Sequence, residues 1–420
     1  MIKLVIIADD FTGALDTGAQ FSAAGIRTKV IAGFDYPEDV QDIQVLVFNT
    51  ESRHEEREIA YSKVYAVAQA AIRHQVPYIL KKTDSGLRGN IGAELEALLD
   101  ASGEDYLPFL PAYPQLDRVT KGGIHYINGT PVAESVFGFD PIDPVEYSRV
   151  TEIIEAKTDK KARSIGRNIA LADGIPDQKK EILIFDIESL GDLHKRVSEL
   201  KNKGMLHIMA GCAGLASVLP DMIALEKEAD LLTEGINSNI LVACGTVNPI
   251  SVEQMDVGEA NGYYRVRLTD EEKLAPGYWE SEKGRESISR LIKDCKEHDF
   301  CILDTNDVPG SVDDQAYAVV NGLTYDQVRK RIPKSMGHVL KMILDEKPDK
   351  TLFIVGGDTL MGFLSEVHIK ELDPVCELLP GTILSSYEKD GIRGWLISKS
   401  GGFGDKQLLI ELKEKIKEMR

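Results

Sequence analysis

Positive charge is what this chain most lacks. Its 49 Lys and Arg stand against 68 Asp and Glu, a formal net charge of -19 with histidine neutral. Such a surface repels phosphate backbones and anionic headgroups, so neither nucleic acid nor a membrane is an expected partner. If the ligand is itself an anion, local Lys, Arg, metal ions or backbone N–H groups must reverse that field. Cysteine is also sparse: five, at 212, 244, 295, 301 and 376, with no C-x-x-C pair. An odd number so spaced fits a reducing compartment better than a disulfide framework. Apolar runs are short; the longest uncharged one, Ile208 to Leu219, stops at Pro220-Asp221 and cannot span a bilayer. No signal peptide precedes the first strand, and the expected location is the cytoplasm.

Several catalytic signatures are missing as well. Without G-x-x-x-x-G-K-[ST] there is no Walker A loop, and without G-x-G-x-x-G a Rossmann dinucleotide site is disfavoured. The eight histidines are scattered, with no H-E-x-x-H or paired metal spacing. No G-x-S-x-G elbow or Cys–His arrangement supports hydrolase chemistry.

What is present begins at the amino terminus. Leu4 to Ile7 is a continuous apolar run of the kind buried on both faces of a parallel sheet. Asp9-Asp10-Phe11-Thr12-Gly13 breaks it, and Ala14, Leu15, Gly18, Ala19, Phe21 and Ala23 continue as a helix ending at Gly25. A strand running into a helix places that turn at the carboxyl edge of a sheet, where open α/β folds bind ligands. Two adjacent carboxylates there are costly unless a cation or hydroxyl donor uses them; the bland alternative is a helix cap.

The pattern repeats. Ile43 to Phe48 reads as a strand before Asn49-Thr50-Glu51-Ser52-Arg53, and His54 to His74 as a helix. Pro77 to Leu80 leads into Lys81 to Asn90, then a helix from Ile91 to Leu99. Tyr106 to Leu110 is a further strand, and Ile124 to Val132 carries Asn128-Gly129, the strongest short hairpin signal, read as a flap beside the site edge. Ile182 to Phe185 and His207 to Ala210 are strands; Leu190 to Lys203 is a helix. The polar, acidic stretch from Pro220 to Asn239 marks a boundary, giving domains 1–228 and 229–420. In the second half, strands at Ile240, Phe300, Leu352 and Trp395 each run into a polar turn, Ser335 to Leu344 is an amphipathic helix, and a last helix closes the chain. The expected fold is α/β: two α/β domains with mostly parallel sheets and a cleft between them.

Three second-half loops, CGTVN at 244, GGDT at 356 and KSGGFGD at 399, each join a strand to a helix start. Glycine admits a phosphate to the backbone, and the helix N-terminus attracts it. One such loop is usually geometric; three on one sheet edge suggest a nucleotide site of a lineage other than P-loop or Rossmann. The first half offers Asp9, Asp10, Arg53, Lys81, Lys82, Asp84 and Arg88, which suit a small polyhydroxylated acid: cations for the carboxylate, aspartates and hydroxyls for the alcohols.

IIADDFTGALDTG, NTESR, KKTDSGLRGNIGAEL, LPAYPQLDRVTKGGIHYINGTPVAESVFGFDP, CGTVNPIS, GGDT and SKSGGFGD together resemble the four-carbon acid sugar kinase family, in order from Asp9 to Asp405. The resemblance implies an acid-sugar site in the amino-terminal domain and ATP binding in the carboxyl-terminal one. Substrate contacts would fall on Asp10, Arg53, Lys82, Thr83, Asp84 and Ser85, with Arg88 nearby. ATP contacts would fall on Gly245, Thr246, Gly356, Gly357, Asp358, Thr359, Gly401, Gly402 and Gly404. Two departures stand out: CGTVN where many relatives have a serine-rich loop, and Asp117-Arg118 where they have Gly-Arg.

The reaction expected is transfer of the ATP γ-phosphoryl group to a terminal hydroxyl of a sugar acid, with Mg2+ bridging phosphate oxygens. Asp10 or Asp84 would orient or deprotonate the hydroxyl, and Asp358 would meet Mg2+ or the ribose. The rival readings are a sugar-acid-binding regulator without turnover, an oxidoreductase on the same acids and a Mg2+-dependent phosphatase. A homodimer is the prior for oligomeric state.

Overall fold

The computed structural model describes all residues except 38, 39, 41, 141, 142, 178, 228–234, 308–313, 347, 348 and 420. The chain forms two compact units, Met1–Asp230 and Leu231–Arg420. The expected boundary at 228/229 lies outside the described residues.

Unit 1 contains β1 (Leu4–Ala8), β2 (Thr28–Ile31), β3 (Val45–Asn49), β4 (Tyr78–Lys82), β5 (Tyr106–Leu110), β6 (Arg118–Lys121), β7 (Ile124–Ile127), β8 (Thr130–Pro131), β9 (Lys161–Ile165), β10 (Glu181–Phe185) and β11 (Ile208–Gly211). Its main sheet runs β2-β3-β1-β4-β11-β5-β10-β9, every pair parallel. Full burial on both faces explains why β1 and β3 read as unbroken apolar runs. Register aligns the strand ends. Ala8 lies opposite both Asn49 and Lys82, and Lys82 opposite Gly211, so the turns after β1, β3, β4 and β11 start level.

The hairpin signal gives β7 and β8, joined by Asn128 and Gly129 at φ 50° and 79°. Both central residues are left-handed, as a two-residue turn between twisted strands requires. With β6 they make a separate antiparallel sheet, and Pro131 sits on its edge strand β8.

Unit 2 contains β12 (Ile240–Cys244), β13 (Tyr264–Arg267), β14 (Phe300–Asp304), β15 (Thr351–Val355), β16 (Glu371–Leu379), β17 (Thr382–Lys389) and β18 (Ile392–Lys399). The order is β13-β14-β12-β15-β18-β17-β16; the first five run parallel, while β17 pairs antiparallel with both β18 and β16. Here too the ends are level: Cys244 faces Asp304 and Val355, and Val355 faces Lys399.

Strands β2, β6, β9, β13, β16 and β17 carry no strong sequence signal. β9 is a polar edge strand and β13 is nowhere fully buried, so neither shows an apolar run. The β16–β17 pair holds Pro374 and several charges, and its bulges break the alternation that would announce it. The helix expected over Ser335–Leu344 runs from Tyr325 to Asp345, started by a Thr324–Gln327 capping box and passing through Pro333.

That helix crosses Gly357–Val367 at backbone contact. A Cβ on Gly337 would collide with the Gly362 carbonyl and lie 2.9 Å from the Phe363 nitrogen. Gly337→Val should therefore destabilise unit 2 by roughly 2 kcal/mol or more through overpacking. Both tryptophans, Trp279 and Trp395, lie in unit 2, so their fluorescence in urea reads this unit; an unchanged midpoint would contradict the close crossing.

Candidate functional site

In unit 1 the level strand ends bring the acidic turn beside the loops after β3 and β4. Asp10 stands at the start of helix Phe11–Ala23, yet its side chain does not cap it. Arg53 takes it instead, donating from Nε to Asp9 Oδ2 at 2.7 Å and from Nη2 to Asp10 Oδ1 at 2.5 Å. Thr12 Oγ1 donates to the other Asp10 oxygen at 2.6 Å. Burial opposes ionisation of Asp9, but Arg53, Lys81 and Lys82 outweigh it and hold its pKa down to about 2. Asn90 fixes the Arg53 loop by donating to the carbonyls of Ser52 at 3.0 Å and Glu55 at 2.7 Å.

Successive strand residues point to opposite faces, which separates the two lysines of β4. Lys81 is wholly buried against Glu94 at 3.1 Å and holds the sheet to helix Ile91–Ser102. Lys82 turns to the other face, 5% exposed, with no carboxylate in ion-pair range among the described residues. Gly13 makes room for it: a Cβ there would collide with Asp10 Oδ1 and lie 2.9 Å from Lys82 Nζ. Thr83 is buried and its Oγ1 has no hydrogen-bond partner.

Arg88 forks onto Asp84, Nε to Oδ2 at 2.7 Å and Nη2 to Oδ1 at 3.2 Å, and reaches Asp140 at 3.0 Å. Burial opposes the Asp84 charge, yet Arg88, Arg53 and Lys82 hold its carboxyl well below the usual range. Ser85 is gripped twice, its Oγ by Arg118 Nη1 and its carbonyl by His125 Nε2 at 3.0 Å. A carbonyl only accepts, so Nε2 carries the proton and Nδ1 accepts from Thr120 Oγ1 at 3.1 Å. Burial pushes His125 down to about 4, which keeps it neutral.

Asp10, Arg53, Lys82, Asp84, Ser85 and Arg88 thus share one ion-paired cluster around the β1, β3 and β4 ends. Arg118, His125 and Phe137 were not among the expected residues. The signal for Arg118 was the Asp117-Arg118 departure: Asp117 sits at φ 50°, a left-handed conformation that glycine adopts freely and Asp tolerates.

Unit 2 gathers its three glycine loops in the same way. A Cβ on Gly245 would overlap Thr359 Oγ1, and one on Gly401 would lie 2.6 Å from Thr246 Oγ1. Gly356, at φ 110°, passes beside Thr246. Thr359 is 1% exposed and its Oγ1 has no partner; it lies in the first turn of helix Gly357–Val367, whose leading N–H groups lack intrahelical acceptors. A phosphate group fits this cradle. Lys399, also unexpected, builds the third loop from within. Its buried ammonium donates to the carbonyls of Ser400 and Phe403 at 3.0 Å and of Gly401 at 3.4 Å. Burial lowers its pKa to about 8. Ser251 and Gln254 pin the same loop from helix Pro249–Ala260. Gly404 serves the turn, at φ 77°, where a Cβ would strike Leu408.

Asp358 is half exposed and reaches Arg329 at 3.4 Å. A second acidic group, Asp270, Asp307 and Asp314, surrounds the Lys273 ammonium at 3.1, 2.5 and 2.6 Å, so a cation already sits among it. A unit 2 cavity of about 480 Å3, lined by Trp279, Arg331 and His338 among others, contains none of the expected site residues.

Fold and site together define a two-domain α/β protein with a cation-bearing polar site in one domain and a glycine cradle in the other. Residues 4–219 match a sugar-binding N-terminal domain and residues 241–409 a nucleotide-binding C-terminal domain. The chain belongs to the family built from these two domains, the four-carbon acid sugar kinase family that its motifs resemble. It is 28% identical to a D-threonate kinase of Salmonella typhimurium across 100% of this chain and 99% of that protein. It is 24% identical to a D-erythronate kinase of Heliobacterium modesticaldum, covering 90% and 89%. A solved Salmonella typhimurium LT2 protein described as a tRNA synthase shares the fold with a TM-score of 0.77 at 18% identity, over 98% of both chains.

Asp9, with its pKa lowered to about 2 from 3.8, stabilises the fold above pH 4, and this contribution is lost as pH falls through 2. The stability difference between wild type and Asp9→Asn should then shrink by about 2 kcal/mol from pH 5 to pH 2 in urea unfolding. Thr359→Val removes an unpartnered buried hydroxyl without changing shape. Stability without nucleotide should hold or rise, by up to about 1 kcal/mol, while the rise in Tm with Mg-ATP falls. An unaltered Mg-ATP shift would place the phosphates elsewhere.

Proposed function

We propose that this protein transfers the γ-phosphoryl group of ATP to the terminal hydroxyl of a four-carbon sugar acid: threonate, erythronate or 3-oxo-tetronate. The observation that carries this reading is Lys82, a buried ammonium beside Asp10 with no carboxylate in ion-pair range among the described residues, at the edge where an anionic polyol would enter. The kinase names of the relatives support the same reaction class.

The acid binds unit 1 through Arg53, Lys82, Thr83, Asp84, Ser85 and Arg88. Asp10 takes the hydroxyl proton as the oxygen attacks the γ-phosphorus; the bond to the bridging β–γ oxygen breaks and ADP leaves. Asp10 suits this role better than Asp84. Its side chain is 22% exposed against 10%, and one of its oxygens is held by the neutral Thr12 hydroxyl, whereas both Asp84 oxygens are held by the Arg88 fork. Unit 2 binds the ATP phosphates with Gly245, Thr246, Gly356, Gly357, Thr359, Gly401 and Gly402, with Gly404 shaping the loop. Bound Mg2+ would neutralise phosphate charge, and Asp358 is the carboxylate to hold it. Transfer requires the acid bound by unit 1 and the ATP bound by unit 2 to meet. A cytoplasmic enzyme, active as a homodimer, completes the reading.

A coupled ADP-release assay with Mg-ATP against D-threonate, L-threonate, D-erythronate and both 3-oxo-tetronate enantiomers tests it. One acid should stand well above the no-acid background. Silence with every acid, alongside a Mg-ATP-dependent rise in Tm, would overturn the substrate class. Asp10→Asn should lower kcat by roughly a hundredfold or more and leave Mg-ATP binding intact; wild-type turnover would remove Asp10 from the mechanism.

A further inference from the structure

Unit 1 holds a second cation that the charge network does not neutralise. Arg118 lies at the start of β6, and among the described residues its guanidinium is engaged by the neutral Ser85 hydroxyl and the face of Phe137, at 5.2 Å from the ring centroid. Among the described residues no carboxylate lies within ion-pair range of it, whereas Arg53 and Arg88 each hold two. Phe137 also meets Arg88, at 5.0 Å, so a single ring lies against both guanidinium groups. Gly86 admits that ring, since a Cβ there would lie 2.6 Å from it. The Ser85 that Arg118 grips lies three residues beyond Lys82, in the loop that follows β4.

The β6–β8 sheet is what holds this group in place. Its bridges Thr120 to Ile187 and Ile124 to Arg149 tie it to the rest of unit 1, and His125 fastens it to the Ser85 carbonyl. A neutral His125 adds no charge, and Lys82 and Arg118 are the cations of this edge with no carboxylate in ion-pair range among the described residues. In a protein of net charge -19, a guanidinium held by a neutral hydroxyl and a ring, with no carboxylate in ion-pair range among the described residues, is a place for an anion. The planar fork of arginine matches a carboxylate through two parallel hydrogen bonds, which a lysine ammonium cannot reproduce.

We propose that Arg118, carried by the β6–β8 sheet and braced by Phe137, binds the substrate's carboxylate and makes the enzyme specific for the acid over the neutral polyol. This rests on the sugar-acid kinase reading. Lys82 and Arg118 approach the acid together, and Ser85, held by Arg118 and His125, turns to the neighbouring hydroxyl.

The test is a double-mutant cycle of Arg118→Met and Ser85→Ala, read by acid KM, ATP KM and calorimetric acid affinity. Arg118→Met should raise the acid KM about 30-fold, leave the ATP KM within threefold, and do so equally in the Ser85→Ala background. Arg118→Lys should recover only part of the loss. The proposal is overturned if the effect of Arg118→Met disappears once Ser85 is alanine, because Arg118 would then act only by placing Ser85. It is also overturned if the acid KM does not move. Wild type that binds acid in the calorimeter without turnover would sink the kinase reading and still measure Arg118 by affinity. No acid binding at all overturns both.

Discussion

Asp9 and Asp10 sit side by side because one guanidinium, that of Arg53, donates to both. The grip is possible only where a parallel sheet sets the end of β3 level with the end of β1. Asn90 holds the Arg53 loop, Gly13 leaves space for Asp10 and Lys82, and Glu94 neutralises Lys81 on the far face. Breaking a buried pair of this kind strands a charge at a cost of several kcal/mol, so the network is as much part of the fold as of the site. What it leaves over is informative: among the described residues Lys82 and Arg118 have no carboxylate in ion-pair range, while Arg53 and Arg88 each hold two.

Unit 2 solves a different problem with the same architecture. Its loops must expose backbone N–H groups to an anion without collapsing on one another. Glycines at 245, 356 and 401 permit the approach, and the Lys399 ammonium holds the last loop by its carbonyls, which turns those acceptors inward. The lowered Lys399 pKa reflects how fully this group has left water. Elsewhere in unit 2, three aspartates share the single Lys273 ammonium.

Much of this was legible in advance because it is local. Continuous apolar runs announce strands buried on both faces, Asn128-Gly129 announces a primed turn, and polar strand ends announce the ligand edge. Strands β9 and β13 were not legible, since edge and half-buried strands need no apolar run. The same limit hid Arg118: its chain position says nothing of Ser85 or Phe137, which lie far away in sequence and meet it through the β6–β8 sheet.

The sequence by itself determined the α/β class, the order of the loops, the family and the types of side chain available for chemistry. Those come from periodicity, turn chemistry and motif, all written within short stretches of chain. Only the tertiary structure decided which charges cancel. Asp9 and Asp10 go to Arg53, Asp84 to Arg88 and Lys81 to Glu94, while among the described residues Lys82 and Arg118 have no carboxylate in ion-pair range. The pairing depends on strand register and on the face each side chain takes, and both are properties of the assembled sheet.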